Sequence, residues 1–356
     1  MKARKEDFFD MERELQELLR ELADPLTRMV VIKGVRRVGK SSLLRVALNE
    51  LRKPYVLLDL RAHGVLTPEA FYEEFSRALS RLLERERGLA SLLSRVRGVE
   101  VAGLRVEIAE KGLSTVVEVL DELNEWSQKI GEQVLLVFDE AQDIRLMRGF
   151  DRLLAHIYDY KRGLKLVLAG SEVGLLDRLL GRGKPKAPLF GRACFELTVK
   201  RFPLERAEEF LKRGFEEAGV RVGEGEIAEA VEKLDGVVGW LTYYGYYRLK
   251  MSHGEALKRT LSEGAALTAE ELKHFLAVRA VAKRRYLEIL RALTRPSRWS
   301  DVKRFLAASL GERISDKQLS NYLRELLDYG FIERVGEYYV LADPLIAEAF
   351  AKGLLR

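Results

Sequence analysis

Eight consecutive residues, Gly34-Val35-Arg36-Arg37-Val38-Gly39-Lys40-Ser41, constrain this chain more than any other feature. They stand between an apolar run, MVVIK, and a helical run, SLLRVALNEL. The pattern G-x-x-x-x-G-K-S at a strand-to-helix junction is that of a phosphate-binding loop. The residue types answer a physical need. Glycines let the backbone curl until successive N–H groups point inward, and the helix N-terminus adds partial positive charge, so the loop and Ser42 behind it suit an anionic phosphate tail. In that geometry Lys40 bridges the β- and γ-phosphates and Ser41 holds a magnesium ion. A chance match in an ordinary loop would lack the strand before it and the helix after it.

Up to about residue 200, short apolar runs alternate with longer helical patterns, the rhythm of a parallel sheet covered on both faces. Five strands are expected: Met29 to Lys33, Tyr55 to Leu60, Val134 to Phe138, Leu164 to Ala169 and Cys194 to Val199. Val99 to Ile108 reads as a small hairpin turning at Gly103. The segment GRGKPKAPLFGR from Gly181 cannot continue a helix and is expected as a surface loop.

Four further residues are candidates to carry chemistry. The run VLLVF ends in Asp139-Glu140, where the Asp suits a magnesium shell and the Glu can polarise a water for in-line attack; the alternative is that both acids start the following helix. Ser171, at the end of LKLVLAG, is placed to sense a γ-phosphate or simply to begin a helix. Arg192 is a candidate to reach that phosphate in cis or in trans, against the alternative of a solvated charge.

After Pro203 helical patterns take over. The last segment reads as helices over Tyr286 to Leu293, Ser300 to Leu306 and Ser315 to Leu327, then two short strands around Gly336, which together make a winged helix-turn-helix. The expected domains are therefore 1–202, 203–278 and 279–356. The aromatic group Trp240, Tyr243, Tyr244, Tyr246 and Tyr247 reads as core packing rather than a base-stacking platform.

Composition narrows the partners. Sixty-one Lys plus Arg against 55 Asp plus Glu gives +6 over 356 residues, too little to demand a polyanion. Nucleic-acid binding must be argued locally, on Lys317, Gln318, Ser320, Asn321 and Arg324 of the third winged helix, or on the basic stretch Arg279, Lys283, Arg284, Arg285, Arg291, Arg295 and Arg298. The bland alternative is that this module packs within the protein or binds another protein. One cysteine and four scattered histidines give neither a disulfide nor a zinc pattern. With no apolar span of membrane length and no signal segment, the chain reads as cytoplasmic.

The guanine-reading Asn/Thr-Lys-x-Asp motif is absent, so ATP is the expected nucleotide, and the Asp-Glu pair favours water as acceptor. In their order, FFDMERELQELL, GVRRVGKSS, LLVFDEAQ, LVLAGS, PLFGR, DGVVGWL and YYVLADP resemble the archaeal P-loop ATPases, relatives of AAA-type (ASCE) and STAND signalling ATPases. That resemblance implies an α/β core with a parallel sheet in the order 5-1-4-3-2, a helical lid and a C-terminal winged helix. It also implies ATP and Mg2+ as cofactors, opening and closing driven by ATP, and ADP as product. Duplex DNA through the winged helix, a protein partner or a homo-oligomer are the candidate partners. Two positions depart from the family pattern: Met11 follows Asp10 where an Arg is usual, and Val238 replaces a lid proline.

Overall fold

The computed structural model describes residue 9 and residues 11–63, 66–311 and 314–355; Asp10 lies outside the described residues. Within them the chain gathers into two compact units. The first takes the chain up to Gly34, then Lys40–Ser171 and Leu175–Val199; the second takes Val35–Gly39, Glu172–Gly174 and the chain from Lys200.

The first unit contains β1 (Met29–Lys33), β2 (Tyr55–Asp59), β3 (Val99–Ala102), β4 (Arg105–Ile108), β5 (Val134–Asp139), β6 (Leu164–Gly170) and β7 (Phe195–Thr198). Five of them form one parallel sheet in the order β2-β5-β6-β1-β7. Counting only these five core strands, that is the 5-1-4-3-2 order the resemblance implies. β5 and β6 are buried at every residue and read as near-continuous apolar runs, interrupted in β6 by Lys165 and ended in β5 by Asp139; the edge strand β2 alternates instead. β3 and β4 form the expected hairpin, with Gly103 at φ 62°.

Helix ends follow local chemistry. The helix Pro68–Arg85 starts at Thr67, whose hydroxyl accepts from the Ala70 N–H, with Pro68 at the first turn. The helix Leu113–Ile130 stops at Gly131 in the left-handed region. Lys165, fully buried in β6, closes the helix Glu12–Ala23: its Nζ donates to the carbonyls of Glu21 (2.8 Å), Leu22 (2.8 Å) and Asp24 (2.6 Å). Burial pushes that ammonium down to about 8. Residues 181–192 form successive turns without helix or strand, as expected.

The second unit is helical: Leu204–Glu217, Glu224–Leu234, Val238–Arg248 and the long His253–Ala277, which a Ser252/Glu255 capping box begins. Gly236 turns the chain at φ 65°, and a Cβ there would lie 2.0 Å from the Phe202 carbonyl oxygen. Trp240, Tyr244 and Tyr247 are buried, and the Tyr247 hydroxyl donates to Glu263 (2.8 Å), so most of the aromatic group is packing. Next come Lys283–Ala292, Trp299–Leu310 and Asp316–Asp328, with β8 (Ser297–Arg298), β9 (Ile332–Val335) and β10 (Tyr338–Leu341) in the order β8-β10-β9. Three helices and a β-wing form a winged helix-turn-helix around Leu290, Leu306, Leu319, Leu323 and Ile332. Among the described residues no helix is long and apolar enough to cross a membrane.

Candidate nucleotide site

Parallel strands end together, and the register brings the candidate residues to one edge. Lys33 pairs with Gly170, Asp139 with Ala169, and Asp59 with Asp139, so Gly34, Asp139-Glu140, Ser171 and the residues after β2 all leave the sheet on the same side. A ligand crevice at the carboxyl ends of parallel strands is the general outcome of this architecture. Gly34 (φ 155°) and Gly39 (φ 101°) take conformations open to glycine, and Lys40 begins the helix Lys40–Leu51, its side chain buried.

Asp139 is buried, and desolvation lifts its carboxyl above the ordinary range. Asp59 adds to that rise, whereas a hydrogen bond from Ser41 and the charges of Arg61 and Lys40 oppose it. The Ser41 hydroxyl and the Asp139 carboxylate are hard oxygen donors already in contact. They fit a magnesium ion held mainly through phosphate and water, which needs only one or two protein oxygens. Among the described residues no cluster of His, Cys, Asp and Glu offers a competing metal site.

Glu140 takes the left-handed conformation (φ 57°), which turns its side chain off the strand direction. Its carboxylate is fully engaged. Oε2 accepts from Ser171 Oγ (2.6 Å), the Ser171 N–H (3.2 Å) and Gln142 Nε2 (2.8 Å), and Oε1 meets Arg61. Ser171, expected to sense a γ-phosphate or to begin a helix, is itself buried and bonded to Glu140. Arg61 and Gln142 carried no signal in the sequence: Arg61 is one arginine among many, and only the β2–β5 pairing brings it to Glu140.

The crest of the loop behaves differently. The side chains of Arg36 and Arg37, expected in a phosphate cradle, are committed within the second unit. Arg36 donates to Glu172 (2.6 Å) and to the Tyr329 carbonyl (2.9 Å); Arg37 pairs with Glu271 (2.6 Å) and Asp343 (3.1 Å) and stacks over Trp240. Any phosphate role of these two residues therefore rests on their backbone. Val238 sits at the start of a helix, and the next residue, Gly239, donates its N–H to the Arg37 carbonyl (2.9 Å).

Arg192 lies elsewhere. It precedes β7, whose Phe195 pairs with Val30 near the beginning of β1, so it belongs to the amino-terminal edge of the sheet. There its Nε donates to Asp159 (3.0 Å), at the end of the helix before β6, and holds that carboxyl below the usual range. A strand's length, about 15–20 Å at ~3.3 Å per residue, separates this edge from Glu140.

The basic stretch is largely spoken for. Arg279 pairs with Glu325 (2.6 Å) and lies over Phe275, Arg291 pairs with Glu288 (2.5 Å), Arg298 with Glu337 (3.3 Å), and Arg285 donates to the Tyr322 hydroxyl (3.3 Å).

A family described as an ATPase domain predominantly from Archaea matches residues 8–243, and the MCM protein C-terminal winged helix-turn-helix domain matches residues 280–341. An uncharacterized ATP-binding protein of Pyrococcus horikoshii is 26% identical over 285 residues, covering 75% of this chain and 82% of its own. The solved structure of a Walker-type ATPase of Pyrococcus abyssi is 36% identical with a TM-score of 0.81, covering 98% of both chains. The ORC2 protein of Aeropyrum pernix, 13% identical with a TM-score of 0.55 over 98% of this chain and 94% of its own, shares the fold. With the domain match spanning more than half its length, the chain belongs to the family of ATPase domains found predominantly in Archaea.

Proposed function

We propose that this ATPase hydrolyses ATP with magnesium and uses the nucleotide cycle as a conformational switch. The observation that carries the reading is the convergence of Lys40, Ser41, Asp139, Glu140 and Ser171 at one sheet edge, with Ser41 already bonded to Asp139. Magnesium, when bound, neutralises phosphate charge. Lys40 and the loop amides, from Gly34 to Gly39, grip the phosphates, while Ser41 and Asp139 hold the metal. Glu140 orients the attacking water, but only after exchanging one of its present partners, because both of its oxygens are occupied. Ser171, donating to Glu140, is placed to trade that bond for a γ-phosphate oxygen, which links the presence of triphosphate to release of the base. Arg192, across the sheet from Glu140, would serve the site of a second chain.

Phosphate release under steady state tests the assignment. Glu140→Gln should keep ATP bound and lower turnover by about two to four orders of magnitude, the usual worth of a general base. Lys40→Ala should weaken triphosphate binding itself. Wild-type turnover in the first variant refutes the role of Glu140, and unchanged affinity in the second refutes the phosphate-loop assignment.

A second reading, favoured by the winged-helix match, is an ATP-gated regulator that binds duplex DNA with little turnover. Binding should then weaken steeply with salt and change with nucleotide state. A flat salt response, or no DNA binding at low salt, points instead to a STAND-like scaffold that assembles with protein partners.

A further inference from the structure

The crest of the phosphate loop is held by an ion cluster whose members come from far apart in the sequence. Arg37 donates Nη2 to Glu271 Oε1 (2.6 Å) and Nη1 to Asp343 Oδ2 (3.1 Å), its guanidinium lies 4.4 Å above the Trp240 ring, and Trp240 Nε1 donates to Asp343 Oδ1 (3.0 Å). Arg36 adds bonds to Glu172 and to the Tyr329 carbonyl, and lies 5.2 Å from the Phe331 ring. The backbone is gripped as well, because the Gly239 N–H donates to the Arg37 carbonyl. Asp343 accepts a further N–H from Leu345 (2.9 Å), so it is locked from both sides.

The cluster acts on a strained residue. Arg37 has φ 66°, a left-handed conformation that a residue with a Cβ adopts only when its surroundings impose it. Nothing in the arginine side chain favours that conformation. Its ion pairs and the Gly239 bond do, because all of them would be lost if the crest relaxed to negative φ. The orientation of successive N–H groups along residues 35–39, on which phosphate binding depends, is therefore maintained from Glu271, Asp343 and Gly239.

We propose that Glu271 and Asp343 are positioning residues for the phosphate loop: through Arg37 they preorganise its crest, so that nucleotide affinity and these side-chain contacts depend on each other. This rests on the nucleotide-binding reading above. By thermodynamic reciprocity, a nucleotide that prefers the held crest must tighten these contacts by the factor they contribute to its affinity. Charge arithmetic separates geometry from electrostatics. Three carboxylates (Glu172, Glu271, Asp343) face two arginines, so neutralising one carboxylate leaves the cluster balanced and frees no unpaired arginine to grip phosphate. Gly239→Ala perturbs the same crest without touching any charge, since a Cβ there would lie 2.8 Å from Arg37 Cβ and 3.1 Å from its carbonyl oxygen.

The test is equilibrium titration with a fluorescent ATP analogue and magnesium, on full-length chains whose circular dichroism matches wild type. Glu271→Gln, Asp343→Asn and Gly239→Ala should each weaken binding about tenfold. Hydrogen exchange of wild type should show residues 268–274 and 341–346 protected by nucleotide, a response lost in the variants; a merely structural role would lower melting temperature without these changes. Glu271, a third exposed, is the variant of choice where Asp343→Asn fails to fold. Wild type that binds no nucleotide overturns the nucleotide reading. Wild type that binds, with all folded variants within twofold of it or tighter, overturns the positioning role alone.

Discussion

Ser171→Ala probes the bond on which the switch depends. The hydroxyl donates across 2.6 Å to Glu140 Oε2, both side chains are almost entirely buried, and the acceptor is an anion. Hydrogen bonds to charged groups contribute roughly 1.5–3 kcal/mol. Glu140 keeps the Ser171 N–H, Gln142 and Arg61, so the substitution leaves no orphaned charge and the cost should stay near ~2 kcal/mol. For a unit of about 200 residues that corresponds to a fall of roughly 4–8 °C in melting temperature. Because two units unfold, the change is best read locally, from hydrogen exchange of the β5 and β6 amides. The same variant should lose discrimination between nucleotides: the ratio of ATP to ADP affinity should drop about tenfold, the effect of ~1.4 kcal/mol, while ADP binding stays within twofold. A stability change below ~0.5 kcal/mol, the scatter of ordinary surface substitutions, together with an unaltered ATP/ADP ratio, would falsify the reasoning.

Other perturbations reach different parts of the molecule. Gly236→Ala should destabilise the second unit by about 3 kcal/mol or more, because left-handed strain adds to a collision with the Phe202 carbonyl; a loss under ~1 kcal/mol in denaturant titration would contradict the turn described. Lys165 titrates at about 8 in the folded chain against 10.5 when free. The unfolded state therefore binds the extra proton in this interval, and unfolding free energy should rise as pH climbs from about 8 towards 10.5. In Lys165→Met that component of the slope should vanish, and parallel pH profiles of the two proteins would refute it. Arg192→Ala and Glu140→Gln chains, each impaired alone, should regain part of their turnover when mixed if Arg192 completes a neighbour's site; mixtures no better than their average would refute that role in trans.

Much of this fold is legible because its signals are local. A buried parallel strand announces itself by four or five consecutive apolar residues, and β1 and β5 begin where the sequence places them. Gly103 and Gly336 mark two hairpins through backbone freedom alone. The stripe Leu319, Leu323, Leu326 locates the third helix of the winged module. The phosphate loop is equally plain, since motif, strand and helix are contiguous. What sequence pattern does not carry is the pairing of charges. Arg37 and Asp343 are 306 residues apart, and no periodicity links them. Arg61 becomes a partner of Glu140 only through strand register. The arginines from 279 to 298 look like one basic surface in the sequence, yet Glu288, Glu325 and Glu337 neutralise several of them one by one.

The division of the phosphate loop between the two units bears on how the protein should be handled. A fragment ending near Val199 would retain Gly34, Lys40, Asp139 and Glu140 but discard Glu271 and Asp343, leaving Arg36 and Arg37 to share Glu172. Such a truncation would carry surplus positive charge at an unsupported turn and would adhere to heparin, nucleic acid or any polyanion at low salt. Its adhesion would be an artefact of cutting, and assays of nucleic-acid affinity belong on the intact chain.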